Sequence, residues 1–173
     1  MKTTKKIAFS AMLSALSVLL LLFGSLTVIG DTLCTILASF CIAIAVCEFG
    51  YKEAISIYLV ATVISLIILP IRDPAYYFAA FFGYYPVIKS FSERFKKGLE
   101  YTIKIVSFST AFIFLTLLYK IVLAPEINLS WYPIPVFIAG IVVILVYDCA
   151  MTLCITEYIS KLRKLLKIDH FLK

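Results

Sequence analysis

The run IAFSAMLSALSVLLLLF, residues 7–23, contains 17 consecutive apolar or small residues and no charged one. A helix needs about 20 such residues to cross roughly 30 Å of hydrocarbon. The run continues with little polarity to Ile29, so residues 7–29 are long enough for one crossing. This stretch indicates a helix surrounded by lipid, and it sets the class of fold in which the rest of the chain is interpreted.

The composition of the whole chain indicates the same environment. Of its 173 residues, 63% are apolar and 15% are charged, and the mean hydropathy is +1.06. Soluble proteins are nearer half apolar and a quarter charged. A globule of this size has too little interior to hide so much hydrocarbon. The composition therefore excludes a soluble enzyme, a disordered chain and a collagen-like fibre.

Five further apolar runs follow the first. The predicted spans are residues 7–29, 32–49, 54–69, 76–91, 103–124 and 133–159. They are continuous rather than alternating, which favours helices over the strands of a membrane barrel. The connections are brief and nothing marks a second domain. We therefore predict an all-α integral membrane protein in which residues 1–173 form a single bundle of six transmembrane helices.

The fourth run is the weakest of the six. It is short, and it contains Gly83 and Pro86. Proline removes a backbone donor from a helix and clashes with the preceding turn. The sequence leaves open whether residues 76–91 form a kinked span, a tilted span or a partly inserted segment.

Basic residues predict the orientation. With the N-terminus inside, 14 of the 16 lysines and arginines lie on the cytoplasmic side, and only Arg72 and Lys120 lie outside. This asymmetry follows the positive-inside rule and predicts cytoplasmic N- and C-termini in a multi-pass protein of the inner (cytoplasmic) membrane. It also accounts for the net charge of +6 without nucleic acid as a partner. We expect the first span to be retained, because it exceeds a signal peptide's 7–15-residue apolar core and no clear A-x-A site follows.

No catalytic or metal-binding motif is recognisable. The five cysteines form no C-x-x-C pair, and the single histidine, His170, lies in the charged tail. Small apolar side chains in a membrane core are the expected role for these cysteines. There is no phosphate-binding loop and no nucleophile or metalloprotease motif. We predict a protein that is not an enzyme and has no metal or cofactor.

The first helix carries a face of small residues. Ala8, Ala11 and Ala15 lie near its start, accompanied by serines at positions 10, 14 and 17. Small residues one turn apart allow another helix to approach closely, which is a main source of packing energy in lipid. The pattern fits a docking surface for a partner membrane protein. The alternative is a surface that packs against the protein's own helices, and small-xxx-small patterns of that kind are common.

Aromatic residues are concentrated near the predicted outer side. Tyr77, Phe81, Tyr84 and Tyr85 have the i, i+4, i+7, i+8 spacing of one helix face. Lys120 lies toward the outer end of the fifth span, and Asn128 and Trp131 lie in the connection between the fifth and sixth spans. Such residues are typical of the interfacial belt of membrane proteins. The fourth run's aromatics reach further inward than a belt requires, so a wall that stacks a flat, partly polar ligand is the alternative.

Ionisable residues inside spans require an explanation. Asp148 lies about 15 residues into the last span, and a lipid-facing charge near mid-bilayer costs ~3 kcal/mol or more. It must therefore face the bundle or water, and Lys89 and Lys104 are its plausible partners. Structural pairing and direct ligand contact both remain open for Asp148. For Lys120, the choice between snorkelling and binding an anionic ligand is also open.

Together these features resemble the S component of an energy-coupling factor (ECF) transporter. The resemblance rests on the short basic start, the sequence Ala11-M-L-S-Ala15 in an alanine-rich first helix, and six spans in under 200 residues. In that family an A-x-x-x-A face of the first helix docks a transmembrane coupling subunit, which is bound to two ATPases. Ala11 and Ala15 match that motif, and Ala8 extends the same face.

The resemblance implies a function. S components capture a vitamin or a vitamin precursor outside the cell, then topple in the membrane, and ATP hydrolysis by the partner ATPases drives its release inside. Their ligand pocket opens outward, drawing on the outer halves of helices four to six and nearby loops. The residues of this chain in those regions are Tyr77, Phe81, Tyr84, Tyr85, Lys120, Asn128, Trp131 and, deeper, Asp148. The match is regional, and no signature of a particular vitamin is recognisable.

Other classes fit parts of the pattern. A non-enzymatic scaffold resembling the rod-shape protein MreD has a similar size and would need partners but no ligand. A small membrane enzyme or redox protein that uses a thiol is a second alternative. A channel or secondary transporter is a third, though the chain has no internal repeat of the kind common in such transporters.

Overall fold

A computed structural model of the chain describes residues 3–27, 30–95, 97–118 and 133–162. Every regular element within these ranges is a helix. In chain order the elements are α1 (Thr3–Leu26), α2 (Asp31–Phe49), α3 (Tyr51–Ile68), α4 (Asp73–Tyr77), a π-helical turn (Phe78–Phe82), α5 (Tyr85–Ser92), α6 (Lys97–Leu118), α7 (Pro133–Glu157) and a second π-helical turn (Tyr158–Leu162).

Five of these helices are long and apolar enough to cross a membrane: α1, α2, α3, α6 and α7. Their bounds lie within a few residues of the predicted spans where both are described. The expected all-α, multi-pass membrane class is confirmed at this level. The number of crossings and the side of each terminus remain predictions.

The first three helices pack closely through small side chains. Ala38 and Ala45 of α2 and Ala61 of α3 are fully buried. At the far end of α1, a Cβ on Gly24 would lie 2.9 Å from the Cβ of Cys34. Gly50 alone separates α2 from α3, and its φ of +86° is a conformation that other residues adopt at a cost. Small residues therefore set both the spacing of these helices and their connection.

Residues 73–92 do not form one continuous helix. The amide of Gly83 donates to the carbonyl of Phe78 at 2.8 Å, which is an i→i−5 bond. The helix restarts at Tyr85, with Pro86 in its first turn, where a missing N–H costs least. The predicted fourth span is therefore a broken helix, and Gly83 and Pro86 mark the break.

The tertiary structure supports this break. In an α-helix the carbonyl of Ala79 would accept the amide of Gly83, but the π turn takes that donor away. The hydroxyl of Tyr58, on α3, donates to the Ala79 carbonyl at 2.7 Å instead. A Cβ on Gly83 would overlap the Tyr58 ring. Interrupted helices in membranes occur where protein satisfies the freed backbone groups, and α3 does so here.

Candidate functional site

A buried charged cluster joins α5, α6 and α7. The ammonium of Lys89 lies 2.5 Å from Oδ1 of Asp148, and the ammonium of Lys104 lies 3.0 Å from its Oδ2. Lys104 also donates to Glu100 on its own helix, at 2.6 Å. One carboxylate thus bridges lysines from two other helices. The prediction that Lys89 and Lys104 pair with Asp148 is confirmed.

Lys89 is satisfied although it is only 2% exposed. Its ammonium donates to Oδ1 of Asp148, to the backbone carbonyl of Asp148 at 3.0 Å and to Oγ1 of Thr152 at 2.7 Å. These contacts use all three of its donors. Glu93 adds a more distant carboxylate at 3.7 Å. A buried ion is tolerated when its partner and its hydrogen bonds are all supplied, as they are here.

An aromatic cluster lies against the charged one. The hydroxyl of Tyr85 donates to Oδ1 of Asp148 at 2.7 Å. Its ring lies 4.8 Å from the ring of Phe81 and 5.3 Å from that of Tyr147. Tyr147 in turn donates to Oγ of Ser39 at 2.8 Å, which ties α7 to α2. The two clusters form one continuous polar and aromatic centre among four helical segments.

The predicted ligand residues divide into three groups. Phe81, Tyr84 and Tyr85 come together with Asp148, and the rings of Phe81 and Tyr84 are 6.3 Å apart. Tyr77 lies on α4, one turn before Phe81, and is half-buried. Lys120, Asn128 and Trp131 lie outside the described residues. The structure thus brings half of the predicted set into a single centre.

Burial distinguishes the members of this centre. Tyr85 is fully buried and Phe81 is 4% exposed, so protein rings already contact both of them. Tyr84 is less buried. Its ring lies 6.3 Å from that of Tyr58, and its hydroxyl donates to the carbonyl of Ser107 at 3.4 Å. Rings that are buried in protein in this way serve packing between helices rather than contact with lipid headgroups.

The sequence interpretation missed Tyr147 and Phe108 as members. Tyr147 is 2% exposed, and the ring of Phe108 lies 6.1 Å from that of Phe81. A tyrosine next to a mid-helix aspartate is a usable signal, because a polar hydroxyl deep in an apolar helix needs a partner. Phe108 carries no such signal, since a phenylalanine in an apolar run is compatible with lipid, protein or ligand.

The small-residue face of α1 points away from the protein. Ala8, Ala11 and Ala15 are exposed, whereas Leu13, Ser17 and Leu21 on the other side are buried. Ser17 donates to the carbonyl of Leu13 at 2.9 Å and so satisfies its hydroxyl within its own helix. Among the described residues no helix therefore buries these alanines, although Ala11 borders a groove between α1 and α3.

Other reactive groups form no centre in the described part of the chain. Cys41 is the one buried cysteine among those described, Cys34 is half-buried, and the others, Cys47, Cys149 and Cys154, are exposed. No group of three or more metal-ligating side chains is found there. Comparison with models of protein families, with curated proteins and with solved structures finds no match to this chain. The fold and centre define an all-helical, multi-pass membrane protein with a buried charged and aromatic core.

Proposed function

We propose that the chain is the substrate-capturing subunit of an ATP-driven importer of the ECF type. The observation that carries this proposal is the exposed alanine face of α1. A helix whose small side chains face lipid gains little packing energy from them, because flexible lipid chains contact large and small side chains equally well. Small residues become valuable when a second helix packs on them. The exposure of Ala8, Ala11 and Ala15 therefore supports a partner helix.

The centre around Phe81 supports the ligand half of the proposal. In this scheme Tyr85, Asp148, Lys89 and Lys104 form a rigid floor rather than direct ligand contacts, because their polar atoms already have partners. Tyr84, which is less buried, supplies the aromatic wall, and the buried ring of Phe81 packs behind it. Lys120, Asn128 and Trp131 are the proposed contacts from the loop side. A flat, water-soluble vitamin or precursor is the proposed ligand.

The proposed cycle follows from these two surfaces. The subunit binds its ligand from the outer side, docks through α1 on a transmembrane coupling subunit, and releases the ligand when two partner ATPases hydrolyse ATP. The proposal assigns this chain no catalytic step. In this proposal the chain binds the ligand at its outer end and binds the coupling subunit along α1.

Docking is tested by filling the alanine face. Ala11→Trp should abolish co-purification with the coupling subunit and the two ATPases, because the indole separates the helices. Leu16→Trp is the matched control, since Leu16 is already large and exposed and lies about 100° around α1 from Ala15. Normal assembly of the Ala11→Trp protein would remove the docking claim.

Ligand capture is tested on the isolated chain. The protein is purified in mild detergent, and mass spectrometry identifies any small molecule retained at one per chain. Trp131→Ala should then weaken that ligand's affinity by about 1–3 kcal/mol, and Trp131→Phe by less, if stacking contributes. Equal affinities in all three proteins would withdraw Trp131 from the site.

A scaffold of MreD-like architecture is the second candidate, and one observation favours it. Asp148 is fully paired, which is what a purely structural aspartate requires. A scaffold would bind membrane partners but no small molecule. A folded chain that retains no ligand, and whose melting temperature no vitamin shifts, would favour the scaffold over the importer subunit.

A further inference from the structure

A groove of about 440 Å³ runs between α1 and α3. Ile7, Ala11, Ile57 and Val60 supply its apolar walls, and Ser10, Ser14 and Ser56 supply hydroxyls. From Lys6 to Ser14 it extends eight residues along α1, or about 12 Å at 1.5 Å per residue. The groove is open along the side of the bundle, so in a bilayer its mouth meets lipid.

One end of the groove is charged. Lys6 pairs with Glu53 across the two helices, and both side chains are about one-third exposed. Three lysines and one glutamate lie in the first turn of α1 or α3: Lys5, Lys6, Lys52 and Glu53. The local charge is therefore positive at the level where the helices begin. That level is where lipid headgroups lie when the apolar stretches of α1 and α3 occupy the hydrocarbon.

An unsatisfied hydroxyl lies inside the groove, one turn from Lys6. Oγ of Ser10 is buried and has no hydrogen-bond partner among the described residues. Ser14 and Ser56, by contrast, donate to carbonyls of their own helices. A buried hydroxyl without a partner costs free energy, so rotation of the Ser10 side chain toward an ester or phosphate oxygen in the groove would be favourable.

We propose that this groove binds one anionic phospholipid. Its phosphate lies beside Lys6 and Lys52, its ester oxygens reach Ser10, and one acyl chain lies against Ile57 and Val60. Basic pockets between membrane helices are suited to anionic headgroups. The positive end distinguishes this occupant from a partner helix, which would need only the apolar and small-residue wall. The inference does not depend on the importer proposal.

The experiment uses the full chain in nanodiscs that contain equal amounts of phosphatidylglycerol and phosphatidylcholine with identical acyl chains. Native mass spectrometry measures the lipid that stays bound after release. We expect phosphatidylglycerol to exceed phosphatidylcholine by about fivefold or more, the effect of one lysine beside an anionic headgroup. Equal retention of the two lipids would overturn the proposal.

Two matched pairs of variants locate the site. Lys6→Gln should reduce the preference about fivefold, whereas Lys161→Gln, which breaks the exposed pair with Glu157, should leave it unchanged. Val60→Trp should displace the bound lipid, whereas Val63→Trp, exposed on α3 but outside the groove, should not. Val60→Trp also covers the case in which Lys6→Gln fails to fold.

The variants also separate lipid from protein as the occupant. If Val60→Trp leaves the lipid ratio unchanged but stops co-purification of another membrane protein, the groove belongs to a helix and the lipid proposal is wrong. If Val60→Trp removes phosphatidylglycerol and leaves co-purification of other membrane proteins unchanged, the groove binds lipid and the proposal is supported.

Discussion

The two halves of this bundle are held together by different chemistry. Helices α1, α2 and α3 meet through small side chains, and 44% of the residues in the apolar stretch of α2 are buried. In α6 and α7 only 11% and 12% of the corresponding residues are buried, and a charged cluster fastens both helices to α5. Lipid tails remove most of the hydrophobic gain from helix association. Close packing and polar pairing are the two remaining ways to hold helices together. Close packing of small residues is more prominent in the first half, and buried ion pairing is more prominent in the second.

The largest expected effect is on the charged half. Asp148→Asn should lower the free energy of unfolding by about 3–5 kcal/mol, because it leaves Lys89 charged and buried without its carboxylate. Unfolding in mild detergent with increasing SDS measures the change. Glu157→Gln is the control, since its pair with Lys161 is exposed and should contribute about 1 kcal/mol or less.

A double variant sharpens this result. Lys89→Met combined with Asp148→Leu removes both charges and should be less destabilising than Asp148→Asn alone, since apolar replacement of a buried pair is often close to neutral. If Asp148→Asn is as stable as the unmodified chain, the cluster does not fasten the second half. The contrast between the two halves would then be wrong.

Much of the helical architecture was predictable, because apolar runs of span length are a strong signal. The partners of Asp148 were predictable for a similar reason, since a carboxylate deep in an apolar helix requires a cation and only a few lie at a suitable depth. The sequence predicted that one face of α1 consists of small residues, but it did not predict that this face points out of the bundle. Small residues serve internal and external packing equally, and the sequence does not distinguish the two.

The interruption at residues 78–84 was predictable only in part. Gly83 and Pro86 marked a weak helix, but the π turn depends on a hydroxyl that Tyr58 supplies from another helix. The participation of Tyr147 likewise depends on Ser39, more than 100 residues away in the sequence. Contacts between residues that are distant in the sequence determine both features, so the local sequence around each of them does not predict them.

The next largest effect is on the closely packed half. Ala45→Leu should destabilise the protein by about 1–3 kcal/mol, because Ala45 is fully buried between packed helices and the added methylenes have no space. Ala15→Leu should change stability by about 0.5 kcal/mol or less, since Ala15 is exposed. The same SDS titration compares them. Equal losses from the two variants would mean that α1 packs its alanine face against the protein.

The junction of the two halves gives a smaller effect. Gly83→Ala should destabilise the chain by about 1–2 kcal/mol, because overpacking against Tyr58 outweighs the higher helix propensity of alanine. Gly98→Ala on α6 meets nothing within 4 Å and should be neutral or stabilising by up to about 1 kcal/mol. Thermal unfolding in detergent distinguishes a loss from a gain. A stabilised Gly83→Ala protein would show that the break does not depend on Tyr58.

A smaller effect again is expected from the hydrogen bond between Tyr147 of α7 and Ser39 of α2, which joins the second half to the first. Tyr147→Phe removes the hydroxyl that donates to Ser39 at 2.8 Å and keeps the ring contacts with Phe82 and Tyr85. Hydrogen bonds between membrane helices contribute about 0.6 kcal/mol to stability on average, because the same polar groups also find partners in the unfolded state within the membrane. Tyr101→Phe, on the exposed surface of α6, is the matched control and should change nothing measurable. A loss as large as that of Asp148→Asn would mean that this single bond fastens α7 to the bundle as strongly as the ion cluster does.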